Sequence, residues 1–163
     1  MDWVLAILLF LHVGAAIIAY GLTFAFSIIG AMGGQEPQHL NFALRINDRI
    51  EERRVLPLAL FVGVTGLLVI LREGPDVPVG LWLALAIILY VISLVIALFV
   101  AVPTTRRLIE ATSVPPSAPP TGASPPQGPP PHIAALVKRS QATGLALVGL
   151  LVVIIFLMVA QPF

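Results

Sequence analysis

Residues 3–35 read WVLAILLFLHVGAAIIAYGLTFAFSIIGAMGGQ, an unbroken run without a charged side chain. An α-helix rises about 1.5 Å per residue, so roughly 20 residues cross a hydrocarbon core about 30 Å thick. This run is long enough with turns to spare, and its apolar body covers residues 4–32. A lone strand in lipid would leave its backbone N–H and C=O groups without partners, and the run shows no alternation of polar and apolar residues, so it reads as a helix. The leader Met1-Asp2 has no basic residue and the apolar stretch is too long for a secretory signal, which makes a permanent membrane helix the expectation.

Three further runs share this character. Residues 55–71 lie between Arg54 and Arg72, residues 77–105 hold an apolar body at 79–102, and another run extends from Ser140 to the C-terminus. The whole chain is 58% hydrophobic and only 10% charged, with a mean hydropathy of +1.01. A water-soluble domain carries about 25% charged residues. The sequence therefore predicts an all-α polytopic membrane protein, a four-transmembrane-helix bundle with helices at about 3–32, 55–72, 79–103 and 134–161. No cysteine is present, which excludes disulfides, thiolate metal sites and a cysteine nucleophile.

Basic residues set the expected threading, because Lys and Arg concentrate in cytoplasmic loops. Arg45, Arg49, Arg53 and Arg54 fall between the first two helices, and Arg106, Arg107, Lys138 and Arg139 fall between the last two. The middle connection holds only Arg72, and the tails hold no Lys or Arg. Both termini are thus expected outside the cytoplasm (N-out/C-out) in a multi-pass protein of a bacterial inner membrane. Nucleic acid is set aside as a partner, since these few cations lie beside lipid phosphates that compete for them.

The connections differ in kind. Gly33-Gly34 followed by Pro37 punctuates the first helix. Residues 41–54 then read as a short amphipathic helix on the cytoplasmic face, with Arg45, Arg49 and Arg53 on one ridge. With Arg54, these arginines are candidates for lipid-headgroup contact, or else a topology anchor part-neutralised by Asp48, Glu51 and Glu52. Pro57 either opens the second helix or kinks its junction with the arginine-rich one. The short link from Glu73 to Pro78 implies a tight hairpin. Residues 112–131, nearly all Pro, Ser, Ala, Gly and Thr, read as a disordered cytoplasmic tether.

Helix packing in lipid relies on small residues, and Ala59, Gly63 and Gly66, then Ala86, Ser93, Ala97 and Ala101, then Gly144 and Gly149 mark such faces. In the first helix His12, Ala16, Ala19, Tyr20, Thr23 and Ser27 recur at spacings of three and four and share one stripe. His12 lies about 15 Å below the outer end by helical rise, near mid-membrane. An ionisable residue at that depth is a functional candidate. His12, Tyr20, Thr23, Ser27 and, from the third helix, Tyr90 form the candidate interior polar or ligand site. The alternative is structural, a neutral imidazole hydrogen-bonded to a neighbouring helix, for instance at Thr65 or Tyr90. His39 and His132 belong to cytoplasmic loops. No membrane carboxylate accompanies His12, which disfavours a proton-coupled multidrug exporter. No nucleophile-base pair, carboxylate dyad or phosphate loop is visible, so the residues name no catalytic group and point away from an enzyme.

Leu11-His12-Val13, the run Arg49-Ile50-Glu51-Glu52-Arg53-Arg54-Val55-Leu56-Pro57, Thr65-Gly66-Leu67 and the terminal Met158-Val159-Ala160-Gln161-Pro162 together resemble the integral membrane proteins of domain-of-unknown-function family 2269. That family looks related in turn to the copper-resistance CopD group and to HemJ-type protoporphyrinogen oxidases, four-helix proteins with a histidine in the first helix. The resemblance implies haem as a cofactor, with His12 the one matching ligand position; a second membrane histidine and the oxidase's basic residue have no counterpart. Haem held by two histidines would then require a homodimer with both His12 side chains converging on the axis. Any metal would fall to His12, but Met32 and Met158 stand apart from the clusters that Cu(I) favours. Beside haem or metal binding stand two rivals: an accessory or scaffold subunit of a larger membrane complex, and a small-solute or metal-ion transporter dependent on Tyr20 or His12.

Overall fold

The computed structural model describes residues 2–73, 80–113 and 130–162. Four helices account for nearly all of them: α1 (Trp3–Gln35), α2 (Leu40–Glu73), α3 (Leu81–Ser113) and α4 (Pro131–Ala160). No strand occurs among the described residues. Each helix is long and apolar enough to cross a membrane. Large apolar side chains such as Phe10, Ile17, Phe61, Leu81, Phe99 and Phe156 are exposed, whereas Ala15, Ala19, Ala59 and Ala86 are among the buried positions. Large apolar side chains on the outside suit a chain whose solvent is acyl chains, and buried alanines let helices associate by close approach, beside larger buried residues such as Val62 and Leu83.

All four helices outrun the apolar stretches they contain. Charge marks where lipid ends, but a backbone hydrogen-bond ladder has no reason to stop there. The segment at 41–54 is accordingly no separate element: α2 begins at Leu40 and stays helical through the arginines and Pro57 to Glu73. Likewise α3 continues past the end of its unbroken apolar stretch at Val102, through Thr104, Arg106 and Leu108 to Ser113.

The described residues divide into two units, one within 1–84 together with 161–162, the other within 85–160. In the first, α1 and α2 run antiparallel. At one end Asp2 accepts a hydrogen bond from the Val4 amide at 3.0 Å, capping α1, and also pairs with Arg72 near the end of α2 at 2.7 Å. An anion at a helix start and a cation at a helix end each oppose the local dipole charge. At the other end the helices meet so closely that a Cβ on Gly33 would lie 2.7 Å from the Ala43 Cβ. Gly33 is therefore a packing residue, and α1 runs two residues beyond it before the Glu36 amide bonds back to the Met32 carbonyl. A single tight turn, Pro37–His39, joins the pair.

Two prolines lie inside helices, and both are accommodated in the same way. Proline lacks an amide hydrogen and its ring clashes with the carbonyl four residues back. Ahead of Pro57 the helix widens over Glu51–Val55, where the Leu56 amide bonds five residues back to the Glu51 carbonyl. Ahead of Pro103 it widens over Ala97–Ala101, where Val102 bonds to the Ala97 carbonyl. Such wide turns absorb the clash without ending the helix.

In the second unit the last turns of α3 pack along α4. Thr104 and Leu108 of α3, and Thr143, Leu151, Ile154 and Leu157 of α4, are buried. The Thr104, Ser93 and Thr112 hydroxyls donate to the carbonyls of Val100, Tyr90 and Leu108 within their own helix, which leaves no unpaired hydroxyl at these positions. Gln161 turns to φ 43° after α4, and Pro162 follows. The expected proline-rich tether lies outside the described residues, save that Thr112 and Ser113 end α3 and Pro131 opens α4. Most of the link from Glu73 to Pro78 lies outside them too.

Candidate functional site

His12 projects from α1 toward α2 and is half-buried. Its Nδ1 lies 3.0 Å from the Val62 carbonyl oxygen and 3.2 Å from the Thr65 hydroxyl oxygen. A carbonyl oxygen can only accept. The Thr65 hydroxyl has acceptors of its own in the Phe61 carbonyl at 2.8 Å and the Val62 carbonyl at 3.1 Å. Nδ1 therefore carries a hydrogen and donates it to Val62, so that the lone pair of the neutral tautomer is the one on Nε2. Nε2 has no hydrogen-bond partner among the described residues.

Gly66 makes this placement possible. A Cβ there would lie 3.0 Å from Cε1 and 3.3 Å from Nδ1 of the imidazole, so the ring occupies the space a side chain would take. Thr65 is itself only 2% exposed. The Thr65-Gly66 pair is thus a seat with one hydroxyl and one vacancy, one helical turn after the carbonyl that orients the ring.

The rest of the helix-one stripe behaves differently. The Thr23 hydroxyl donates to the Tyr20 carbonyl at 2.7 Å, and that of Ser27, which is exposed, donates to the Phe24 carbonyl at 2.9 Å. These hydroxyls turn back onto α1, whereas His12 reaches α2. Tyr20 is half-buried in the first unit, and Tyr90, also half-buried, belongs to the second. His39 is exposed and pairs with Glu36 at 2.7 Å, while His132 is exposed at the start of α4. No group of three or more His, Cys, Asp or Glu able to hold a metal ion occurs among the described residues.

Farther along α1 and α2, ahead of the apolar span at 55–71, lies a second polar region. Arg49, Arg53 and Arg54 line an open groove with Ile46 and Ile50. Arg45 is exposed but stands outside that lining. None of these four arginines forms an ion pair among the described residues. Asn47 crosses to α1, donating to the Phe26 carbonyl at 3.1 Å. Its Oδ1 is buried without a hydrogen-bond partner. One turn on, burial and the nearby Asp48 raise the Glu51 carboxyl from its ordinary 4.5 to about 7.

Sequence reasoning reached His12 and offered Thr65 as a partner, but it counted Gly66 only as a packing residue and Glu51 only as a countercharge. Asn47 went unnoticed. A signal was available: Asn47 and Glu51 are four apart and so share a helix face, and Glu51 stands six residues ahead of a helix-distorting proline.

No curated protein and no solved structure is detectably similar to this chain. A family described as "Predicted integral membrane protein (DUF2269)" matches residues 6–162, which takes in both helical units, His12 with its seat, and the arginine groove. The chain therefore belongs to the DUF2269 family of integral membrane proteins.

Proposed function

We propose that this membrane protein binds haem through a single axial ligand, Nε2 of His12. The observation that carries the reading is the hydrogen bond from Nδ1 to the Val62 carbonyl. A ligating histidine ordinarily donates its other ring N–H to a carbonyl or carboxylate, which fixes the tautomer, aims the ring and raises its basicity. His12 has that arrangement within one protomer. Haem brings four nitrogen ligands of its own and needs one imidazole from the protein. A bare metal ion needs three or four protein ligands, which the described residues do not supply, so the donor set fits haem and not a dedicated copper or zinc centre.

Protein purified in mild detergent after expression with added haem precursor is expected to show a Soret band that His12→Ala abolishes. Thr65→Val is expected to keep the band. A colourless preparation, or a band unaltered in His12→Ala, refutes the assignment. We also infer from the arginine distribution that both termini lie outside the cytoplasm; a reporter fused after Phe163 that proved cytosolic would refute that.

A second reading, an accessory subunit of a larger membrane complex, is favoured by the outer face of α1. Phe10, Gly14, Ile17, Gly21, Phe24 and Ile28 follow one another at alternating spacings of four and three. Side chains added at Gly14 or Gly21 would meet nothing within 4 Å. A seam of large and small residues at heptad spacing suits a partner helix. Recovery of the chain alone from native membranes in mild detergent would count against it. Nothing in the geometry favours the transporter reading over these two.

A further inference from the structure

The groove on α2 stands apart from His12. We propose that Arg49, Arg53 and Arg54, with Ile46 and Ile50 beneath them, form a binding site for the phosphate of an anionic phospholipid. Depth is the first reason. Arg54 immediately precedes the apolar span at 55–71, and Arg49 lies about 7.5 Å farther along the helix by its rise. The headgroup layer on each side of a hydrocarbon core is about 5–7 Å deep, so the three guanidiniums cover its thickness.

Charge is the second reason. Three guanidiniums in one groove, with no ion pair among the described residues, lack the anion that such a cluster recruits. Glu51, which opens the wide turn, is only partly ionised at neutral pH, so with Asp48 and Glu52 it offsets the arginines of this segment in part. Ile46 and Ile50 give the groove an apolar wall against which the start of an acyl chain can lie.

The wide turn itself is the third. In a regular helix a residue five positions on points about 140° away from the first. Between Arg49 and Arg54 the helix is widened, with Leu56 bonded to Glu51 five residues back. Widening reduces that angle and brings Arg54 toward Arg49, so Pro57 helps gather three cations that a regular helix would spread.

Native mass spectrometry of the full chain, released from membranes containing phosphatidylglycerol and phosphatidylcholine in equal amounts, tests the site. Retention of phosphatidylglycerol over phosphatidylcholine is expected, and Arg49→Gln with Arg53→Gln should cut that preference by about fivefold per arginine. Lys138→Gln with Arg139→Gln removes the same charge from α4 and should leave it intact; equal loss in both double variants would show bulk charge, and overturn the proposal. Pro57→Ala, checked for retained helix content, should weaken the preference severalfold with every cation in place, and an unchanged preference overturns the role given to the wide turn. Inorganic phosphate should not strip the lipid. If it does, or if both lipids are retained equally, the phospholipid assignment fails.

Discussion

The α1–α2 pair holds two polar regions built on the same two helices, and they are finished to different degrees. Within the apolar span, the His12 Nδ1 hydrogen and the Thr65 hydroxyl both have acceptors, and Gly66 provides the room for the ring. Ahead of the span, Asn47 keeps a buried oxygen without a partner and Glu51 holds a carboxyl whose proton comes off near neutrality. A polar group in hydrocarbon has no water to fall back on, so the donors at that depth are satisfied by the protein, and the His12 Nε2 lone pair is the acceptor left open to a ligand. Near the headgroups water and ions are at hand, and incomplete pairing is tolerated. Thus the deeper region is held by hydrogen bonds across the helix pair, and the shallower one carries a carboxyl that responds to pH.

The largest stability effect expected from that contrast belongs to Glu51. Its folded-state pKa is raised, so between about pH 4.5 and 7 the folded protein holds a proton that the unfolded chain releases, and stability falls as pH rises through this window. The loss approaches about 3 kcal/mol, the full value of the shift, by pH 8. Glu51→Gln replaces the carboxyl by an amide of the same shape that cannot ionise. Thermal unfolding in detergent between pH 4.5 and 8 should show a falling midpoint for the native protein and a flatter one for the variant; parallel curves would remove Glu51 from the account.

Next come the two glycines. Gly33→Ala puts a Cβ 2.7 Å from the Ala43 Cβ, where a helix must move, and overpacking of this kind costs about 2 kcal/mol. Gly66→Ala meets only the imidazole at 3.0 Å, which can rotate away, so about 1 kcal/mol is expected. Reversal of that order would mean that the ring is held more rigidly than the helix ends.

The smallest effects are those of single polar links. His12→Ala should cost about 1 kcal/mol, since hydrogen bonds between membrane helices average less than that. Asp2→Asn, which weakens the Arg72 pair at a water-exposed end, should cost about 0.5 kcal/mol. Equal losses for the two, measured by unfolding midpoints at pH 6, would erase the distinction between buried and exposed links.

Length and charge were enough to announce four membrane helices, because apolar runs bounded by arginine have one economical fate in lipid; the family was legible only as a resemblance carried by short motifs such as Leu11-His12-Val13 and the run from Arg49 to Pro57. The same pattern misplaced the helix ends. It registers the polar boundary of the bilayer, and α2 and α3 simply continue through that boundary with their hydrogen bonds intact. Of the candidate site, His12 was legible as a lone ionisable group in a span. Its tautomer was not, because that depends on the Val62 carbonyl, fifty residues away in sequence and 3.0 Å away in space. Nor was the seat: Gly66 looks like any other small packing residue until the antiparallel pairing of α1 and α2 lays a ring on it.

By itself, then, the sequence determined which stretches enter hydrocarbon, because transfer of side chains into lipid is a local property summed along the chain. Only the tertiary structure decided which nitrogen of His12 stays open, which arginines share a groove, and that Glu51 is half-buried beside Asp48, because each of these depends on the distance between groups that two helices bring together and that proline shifts around one axis.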